Sequence, residues 1–292
     1  MINNTPIFIT GCQRSGTTLL HLILDSHPQI RGLDEWEVQE ALFDQFLTDP
    51  QYHPCVAFKL PKVAHLAPAL RCIPGVKMLW CVRDPRDVVT SMLKLKQKKG
   101  AGTRDQVLWS LQYPVKALKT LLTAKSLPVA LSWASISAVP EIQNTVTALH
   151  QRKVFPDDLA EREEQFRQIS QKHPLRRSHA DQVLLGAFCW RVKQEMFHAC
   201  CQGKDEFHVV RYEPLVQQPQ AEITKILEFL NLPWRDDVLR HHTLHAGVSV
   251  GQTENTRPID SANREKWKGF LSDEDLAIIK QVCGARLSEF YA

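Results

Sequence analysis

No apolar run in the 292-residue chain approaches the ~20 residues that span a bilayer. Met1 is followed by the polar stretch INNT, so no basic and apolar leader is expected and the chain reads as soluble and cytoplasmic. The eight cysteines include no C-x-x-C pair, and several lie in apolar runs such as MLWCV where a small buried thiol fits. Reduced thiols are the expected state. The twelve histidines include no H-x-x-x-H pattern with carboxylate or thiolate partners, so no metal centre is expected, and His241 with His242 reads as a solvated pair. Repeats and low-complexity segments are also missing. The basic run KLKQKKG has no interleaved aromatics, which argues against nucleic acid as a partner, and nothing points to a membrane.

The most informative absence is a single lysine. Between the apolar run at residues 6–10 and an amphipathic run beginning at Thr17, the stretch GCQRSGTT has the G-x-x-x-x-G spacing of a phosphate-binding loop, with Gly11 and Gly16 in the glycine positions. A triphosphate-binding loop continues with lysine, whose ammonium reaches the β- and γ-phosphates; this chain has Thr17 there. The glycines still let the backbone close round an oxyanion. Ser15, Thr17 and Thr18 supply hydroxyls at a helix N-terminus, where the dipole favours negative charge. Arg14 adds a permanently charged fork of donors inside the loop. That combination suits a nucleotide with one phosphate at this position and a weakly charged leaving anion attached to it. A P-loop kinase or NTPase is the alternative enzyme class, disfavoured by Thr17 and by the lack of an acidic magnesium ligand after an apolar strand. A nucleotide-binding module without catalysis is the other alternative.

Flanking segments supply the context such a loop needs. PIFIT (6–10) reads as a buried strand, and the helical spacing of Leu19, Leu20, Ile23 and Leu24 predicts a helix over Thr17–Ser26. CVAFKL (55–60) and VKMLWCV (76–82) read as two further buried strands, the latter leading into a helix at RDPRDVVTSML. FHVVRY (207–212) reads as a fourth, followed after Pro219 by the helical AEITKILEFLNL. This alternation predicts an α/β fold, a P-loop-type parallel β-sheet flanked by helices, in one domain over 1–292. Residues 100–205 break the rhythm with helical patterns (VLWSLQYPVKALKTLL, QVLLGAFCWRVKQEMF) and the charged DDLAEREEQFRQ. They read as a helical insertion, or as a lid that binds the acceptor. Charge is uneven as well. Residues 1–50 carry seven acidic side chains against Arg14 and Arg31, whereas residues 51–130 carry fourteen Lys and Arg against Asp84, Asp87 and Asp105. An anionic small ligand accounts for the basic segment.

QRSGTTLL (13–20) resembles the 5′-phosphosulfate loop of the sulfotransferases that use 3′-phosphoadenosine 5′-phosphosulfate (PAPS) and release PAP, in particular the tyrosylprotein and bacterial branch, which carries arginine in this loop. CVRDPRDVVTS (81–91) resembles the family's 3′-phosphate element, which assigns that phosphate to Arg83 and Ser91; a strand-end Arg83 paired with Asp84 or Asp87 is the structural alternative. VVRYEPLVQQP (209–219) resembles the strand-to-helix segment whose tyrosine, here Tyr212, lies near the adenine. TRPIDSANREKWKGFLSDED resembles the closing segment over the nucleotide, with Arg257, Lys266 and Lys268 as phosphate contacts and Trp267 either covering the nucleotide or packing in the core. Lys59 falls where the family has a lysine that stabilises the sulfuryl group. Glu35, twenty-one residues after Arg14, falls at the base of the tyrosylprotein branch, and His65 is the alternative base. The resemblance thus implies PAPS as sulfuryl donor, no metal, and catalysis by Glu35, Arg14 and Lys59. The acceptor side lies outside it. The acidic cluster of Asp34, Glu35, Glu37 and Glu40, with no membrane anchor in view, suggests a hydroxyl or amine of a small polar or cationic metabolite or natural product.

Overall fold

The computed structural model describes residues 5–34, 54–61, 64, 67–71, 75–99, 165, 168–169, 172, 176–246 and 256–291. In chain order the elements are β1 (Thr5–Gly11), α1 (Thr17–Asp25), β2 (Ile30–Leu33), β3 (Cys55–Lys59), α2 (Ala67–Leu70), β4 (Lys77–Val82) and α3 (Pro85–Lys99). After these come α4 (His179–Cys200), β5 (Phe207–Arg211), α5 (Tyr212–Gln217), α6 (Pro219–Phe229), a 3₁₀ turn (Asp236–Arg240), α7 (His241–Leu244) and α8 (Asp273–Tyr291). The five strands form one sheet in the order β2-β3-β1-β4-β5, and every pairing is parallel.

A parallel sheet must be covered on both faces, and the side chains of β1 divide accordingly. Phe8 joins Phe58, Trp80, Val88, Val89 and Trp190 in the layer under α3, α4 and α8. Ile7 and Ile9 join Leu20, Ile23, Leu24, Leu79 and Ile226 in the layer under α1 and α6. The central strand is therefore apolar throughout, as PIFIT suggests.

β2 is the strand that sequence patterning does not anticipate. Its four residues, IRGL, are short and interrupted by Gly32, so no period shows. Pairing with β3 from Ile30↔Cys55 to Leu33↔Phe58 makes it a strand. Gly32 is required by close approach, since a Cβ there would come 2.7 Å from the Asp25 Cβ and 2.8 Å from the His21 ring.

The described part of the 100–205 segment is dominated by α4, which packs between α3 and α8 as part of the core. Val183, Ala187 and Trp190 are fully buried, and so are the polar Arg191, Gln194 and Glu195. Apolar and polar residues surround the helix alike because it is covered on most sides. Residues 100–164, where the other expected helices fall, lie outside the described residues. Among the described residues no helix is long and apolar enough to cross a membrane.

The α4–α8 contact is held by an ion triad. Glu195 accepts from Arg191 Nε at 2.5 Å and from Arg286 Nη2 at 2.6 Å, while Arg191 Nη1 donates to the Val282 carbonyl at 2.8 Å. Removing the anion would leave two guanidinium groups facing each other in the core. Glu195→Ala should therefore destabilise the protein by about 3–5 kcal/mol. Urea denaturation reads this, and a loss of less than about 1 kcal/mol would show the triad to be dispensable.

Candidate active site

The anion-binding groups expected from sequence gather at the carboxyl edge of β1, β3 and β4, where ligands of open parallel sheets bind. β1 ends at Gly11, whose φ of 117° and contact with the Cys81 backbone exclude any larger residue: a Cβ would lie 2.9 Å from Cys81 N. Arg14 follows with φ 70°, a left-handed conformation that costs a non-glycine residue about 1–2 kcal/mol. Gly16 (φ 88°) closes the loop against Tyr212, whose ring would come 2.6 Å from a Cβ at Gly16. The loop is thus wedged between β4 and Tyr212. No side chain caps the start of α1, and the hydroxyl of Ser15 is buried without a hydrogen-bond partner. The first-turn N–H groups of α1 and the Ser15 hydroxyl form a donor set of the kind an oxyanion fills. Thr17 is buried and Thr18 half-buried beside them.

Arg14 and Ser91 meet directly. The guanidinium Nε donates to Ser91 Oγ at 2.9 Å, joining the loop to α3 across seventy-seven residues of chain. Arg83, at the end of β4, donates from Nη1 to the Arg14 carbonyl at 3.2 Å and from Nη2 to the Asn263 carbonyl, and its guanidinium lies 4.2 Å from the centre of the Tyr212 ring. Its Nε is buried without a hydrogen-bond partner. Asp84 binds Arg86 at 2.5 Å instead of Arg83. Asp87 stands 3.5 Å from Arg83 Nη2 but also accepts from the Glu265 and Trp267 amides at 2.9 and 3.3 Å. Asp87 therefore fastens the closing segment to α3 as much as it neutralises Arg83.

The result is a crowd of cations. Burial lowers the Arg14 guanidinium below its ordinary pKa, and Arg83 lowers it further. Lys266 is lowered by burial and then by Lys94, Arg257 and Arg83. Clustered like charges with orphaned buried donors fit a ligand that brings several negative charges, as the 5′- and 3′-phosphates of PAPS would. Not every expected cation points the same way: Lys268 pairs with Glu265 at 2.7 Å and Arg257 stands 3.6 Å from Asp260. Trp267 is half-buried, with the Arg86 guanidinium 4.2 Å above its ring.

On the β3 side Lys59 is buried, with its ammonium 2.6 Å from Asp34 Oδ1 and donating to Thr18 Oγ1 at 3.3 Å. An ion pair thus sets Lys59 against the loop, and Asp34 is committed to it. Glu35 and His65 lie outside the described residues. Sequence reasoning missed two groups here: Asp34 as the partner of Lys59, and His21, which is buried on α1 with Nδ1 unbonded. The i,i+4 spacing from Thr17 puts His21 on the same helix face and could have revealed it. Burial pushes His21 down to about 4, and Lys59 adds to that against the opposing pull of Asp25 and Asp34. The expectation of a solvated His241–His242 pair is corrected: His241 is buried, and burial with its neighbours His242 and His245 pushes it down to about 4.

Residues 4–291 match the profile of the family described as Sulfotransferase domain, and the chain belongs to that family. It is accordingly a transferase that takes sulfuryl groups from PAPS. It is 27% identical to protein-tyrosine sulfotransferase 1 of Danio rerio over 94% of this chain and 69% of the relative's length. It is likewise 27% identical to the protein-tyrosine sulfotransferase of Drosophila melanogaster, over 91% of this chain but only 47% of that protein. Among solved structures, the sulfotransferase domain from the curacin biosynthetic pathway aligns with a TM-score of 0.52 at 15% identity, covering 96% of this chain and 98% of that one. The sulfotransferase domain of the Synechococcus PCC 7002 olefin synthase aligns at 0.50 and 14% identity, over 96% and 95%. At these identities the structures report the shared fold.

The two buried imidazoles make stability depend on pH. Both are depressed from 6.5 to about 4 in the folded chain, so between those values the unfolded chain binds more protons. Their contribution is fully present above pH 6.5 and is lost as pH falls toward 4, at up to about 1.4 kcal/mol per pH unit for each histidine. Urea midpoints measured from pH 7 to 4 should fall, and His21→Gln should flatten the dependence. An unchanged slope in that variant would remove His21 as a cause.

Proposed function

We propose that the chain transfers the sulfuryl group of PAPS to an acceptor hydroxyl, with Arg14, Ser15, Gly16, Thr17 and Thr18 around the 5′-phosphosulfate, Arg83 and Ser91 on the 3′-phosphate, and Glu35 as general base. One observation carries this reading: Arg14, Arg83 and Lys59 stand with the uncapped start of α1 round a single loop, Arg14 bonded to Ser91, Arg83 to the Arg14 carbonyl and the Asp34-held Lys59 to Thr18. Sulfuryl transfer places developing charge on the bridging phosphate oxygen and on the sulfuryl oxygens. Fixed cations and amides at the loop can stabilise that charge without reorganising. Arg14 and Lys59 take this role, and Tyr212 forms the wall between the two phosphate subsites. Lys266, with Arg257 and Lys268 more loosely, supplies positive charge from the closing segment.

Glu35 is the residue after Asp34, whose carboxylate is already bound to Lys59, and that sequence neighbourhood supports it as the group that takes the acceptor's proton. For the acceptor, the acidic excess of residues 1–50 favours a small polar or cationic molecule, through a hydroxyl or an amine. With Asp34 engaged, that preference rests on Glu35, Glu37 and Glu40. The 27% identity to proteins named protein-tyrosine sulfotransferases favours a tyrosyl hydroxyl as a second reading.

Arg14→Ala and Lys59→Ala should each lower kcat roughly 10²–10³-fold while PAP still binds; unchanged turnover would remove that residue from the chemistry. Glu35→Gln should lower kcat by about 10²–10⁴ with PAP affinity intact. Arg83→Ala should abolish the preference for PAPS over adenosine 5′-phosphosulfate, and calorimetry that finds the preference intact would refute its assignment. An acceptor screen with labelled PAPS, comparing tyrosyl peptides with small phenols, amines and guanidines, decides between the two acceptor readings. Tight ATP binding without PAP binding would instead return the chain to the NTPase alternative.

A further inference from the structure

The phosphate loop lacks a lysine at its own helix start, yet a lysine reaches it from behind. Lys193 lies on α4 and is only 7% exposed. Its ammonium donates to the Pro61 carbonyl at 2.8 Å, to the Gly11 carbonyl at 3.3 Å and to Gln13 Oε1. Three N–H groups meet three oxygens, so its donors are fully used. Gly11 closes β1, Pro61 lies just beyond β3, and Gln13 sits in the loop between Gly11 and Arg14. One side chain therefore fastens two neighbouring strand ends to the loop. One helical turn earlier on the same face, Cys189 Sγ approaches Gln13 Oε1 at 3.9 Å. The adjacent Trp190 donates its indole N–H to the Arg83 carbonyl at 2.9 Å.

None of the three oxygens on Lys193 is a carboxylate. Holding an ammonium among neutral dipoles is expensive where an apolar side chain could pack in its place. Its position under the loop gives that charge a use. The carbonyls of Gly11 and Pro61 present negative dipoles near the site of an incoming anion, and the ammonium holds them and offsets them. Gln13, one residue before the left-handed Arg14, is fixed by the same contact. We infer that Lys193 is a positioning residue for the 5′-phosphate of the donor: it sets the loop's backbone from the rear and supplies from α4 the positive charge that Thr17 does not. This inference rests on the loop being the 5′-phosphosulfate site proposed above.

The test compares two probes, PAP and adenosine 3′-phosphate, which lacks the 5′-phosphate. By calorimetry, Lys193→Met should weaken PAP binding roughly 10–100-fold, the range for a lost hydrogen bond to a charged group. Its affinity for adenosine 3′-phosphate should stay within about twofold of wild type, because the hydrogen bonds of Lys193 go to Gly11, Gln13 and Pro61 and not to Arg83 or Ser91. KM for PAPS should rise by a similar factor, while kcat at saturating PAPS falls much less than in Arg14→Ala. Lys193→Arg should recover part of the PAP affinity. Should Lys193→Met not fold, Gln13→Leu removes one of the three acceptors at a half-buried position and should weaken PAP binding about 3–10-fold with the same selectivity. A folded variant that binds PAP like wild type, or that loses both probes equally, overturns the inference. A wild-type protein that fails to bind PAP overturns the site assignment itself; wild-type binding with an indifferent Lys193→Met overturns Lys193 alone.

Discussion

The close approach of Arg14 and Arg83 is the constraint round which the carboxyl edge of the sheet is arranged. Burial and then the Arg83 charge lower the Arg14 pKa, and two guanidinium groups cannot be left side by side unless something holds them. Here backbone oxygens do much of the holding: the Arg14 carbonyl accepts from Arg83, and so does the Asn263 carbonyl from the closing segment. Ser91 takes Arg14, and the Tyr212 ring lies beneath Arg83. Neutral acceptors orient the cations without cancelling them, which leaves the charge for a ligand. Asp87, 3.5 Å from Arg83, is shared with two backbone amides.

The fold meets this requirement by bringing distant segments to one edge. β1 and β4 are hydrogen-bonded neighbours, so the loop after β1 and the turn after β4 begin within a strand spacing of each other. The glycine at the end of β1 permits the contact with Cys81. β5 runs directly into α5, and Tyr212 at that junction reaches back over Gly16. On the far side, the α4–α8 pair carries a buried ion triad, and α4 also touches the end of β4 through Trp190 and the loop after β1 through Lys193. A helix that looks featureless by hydrophobic pattern thus braces the site against the core.

Much of this was legible in the residues themselves. PIFIT, CVAFKL, VKMLWCV and FHVVRY all became strands within a residue or so of the expected bounds, because a strand covered on both faces is a short apolar run bounded by breaks. The loop showed itself because glycine spacing and hydroxyl placement are local properties. IRGL escaped notice because four residues around a glycine have no period, and only pairing to β3 makes them a strand. His241 looked solvated because an HH pair is polar on any scale, yet one ring is enclosed and the other half-exposed.

The amino-acid sequence by itself determined the strand-loop-helix unit, the replacement of lysine by Thr17, and the motif pair that identifies the family, since each is written in contiguous residues whose spacing carries the chemistry. Tertiary structure alone decided which charges are engaged and which are left over. Lys59 is bound to Asp34, Asp84 to Arg86 and Lys268 to Glu265, whereas among the described residues Arg14 and Arg83 meet neutral oxygens, a hydroxyl or a half-shared carboxylate. The reason is physical: the strength of an ion pair depends on distance and burial over a few ångströms. Residues seventy-seven or one hundred and eighty positions apart acquire those distances only when the strands are laid side by side.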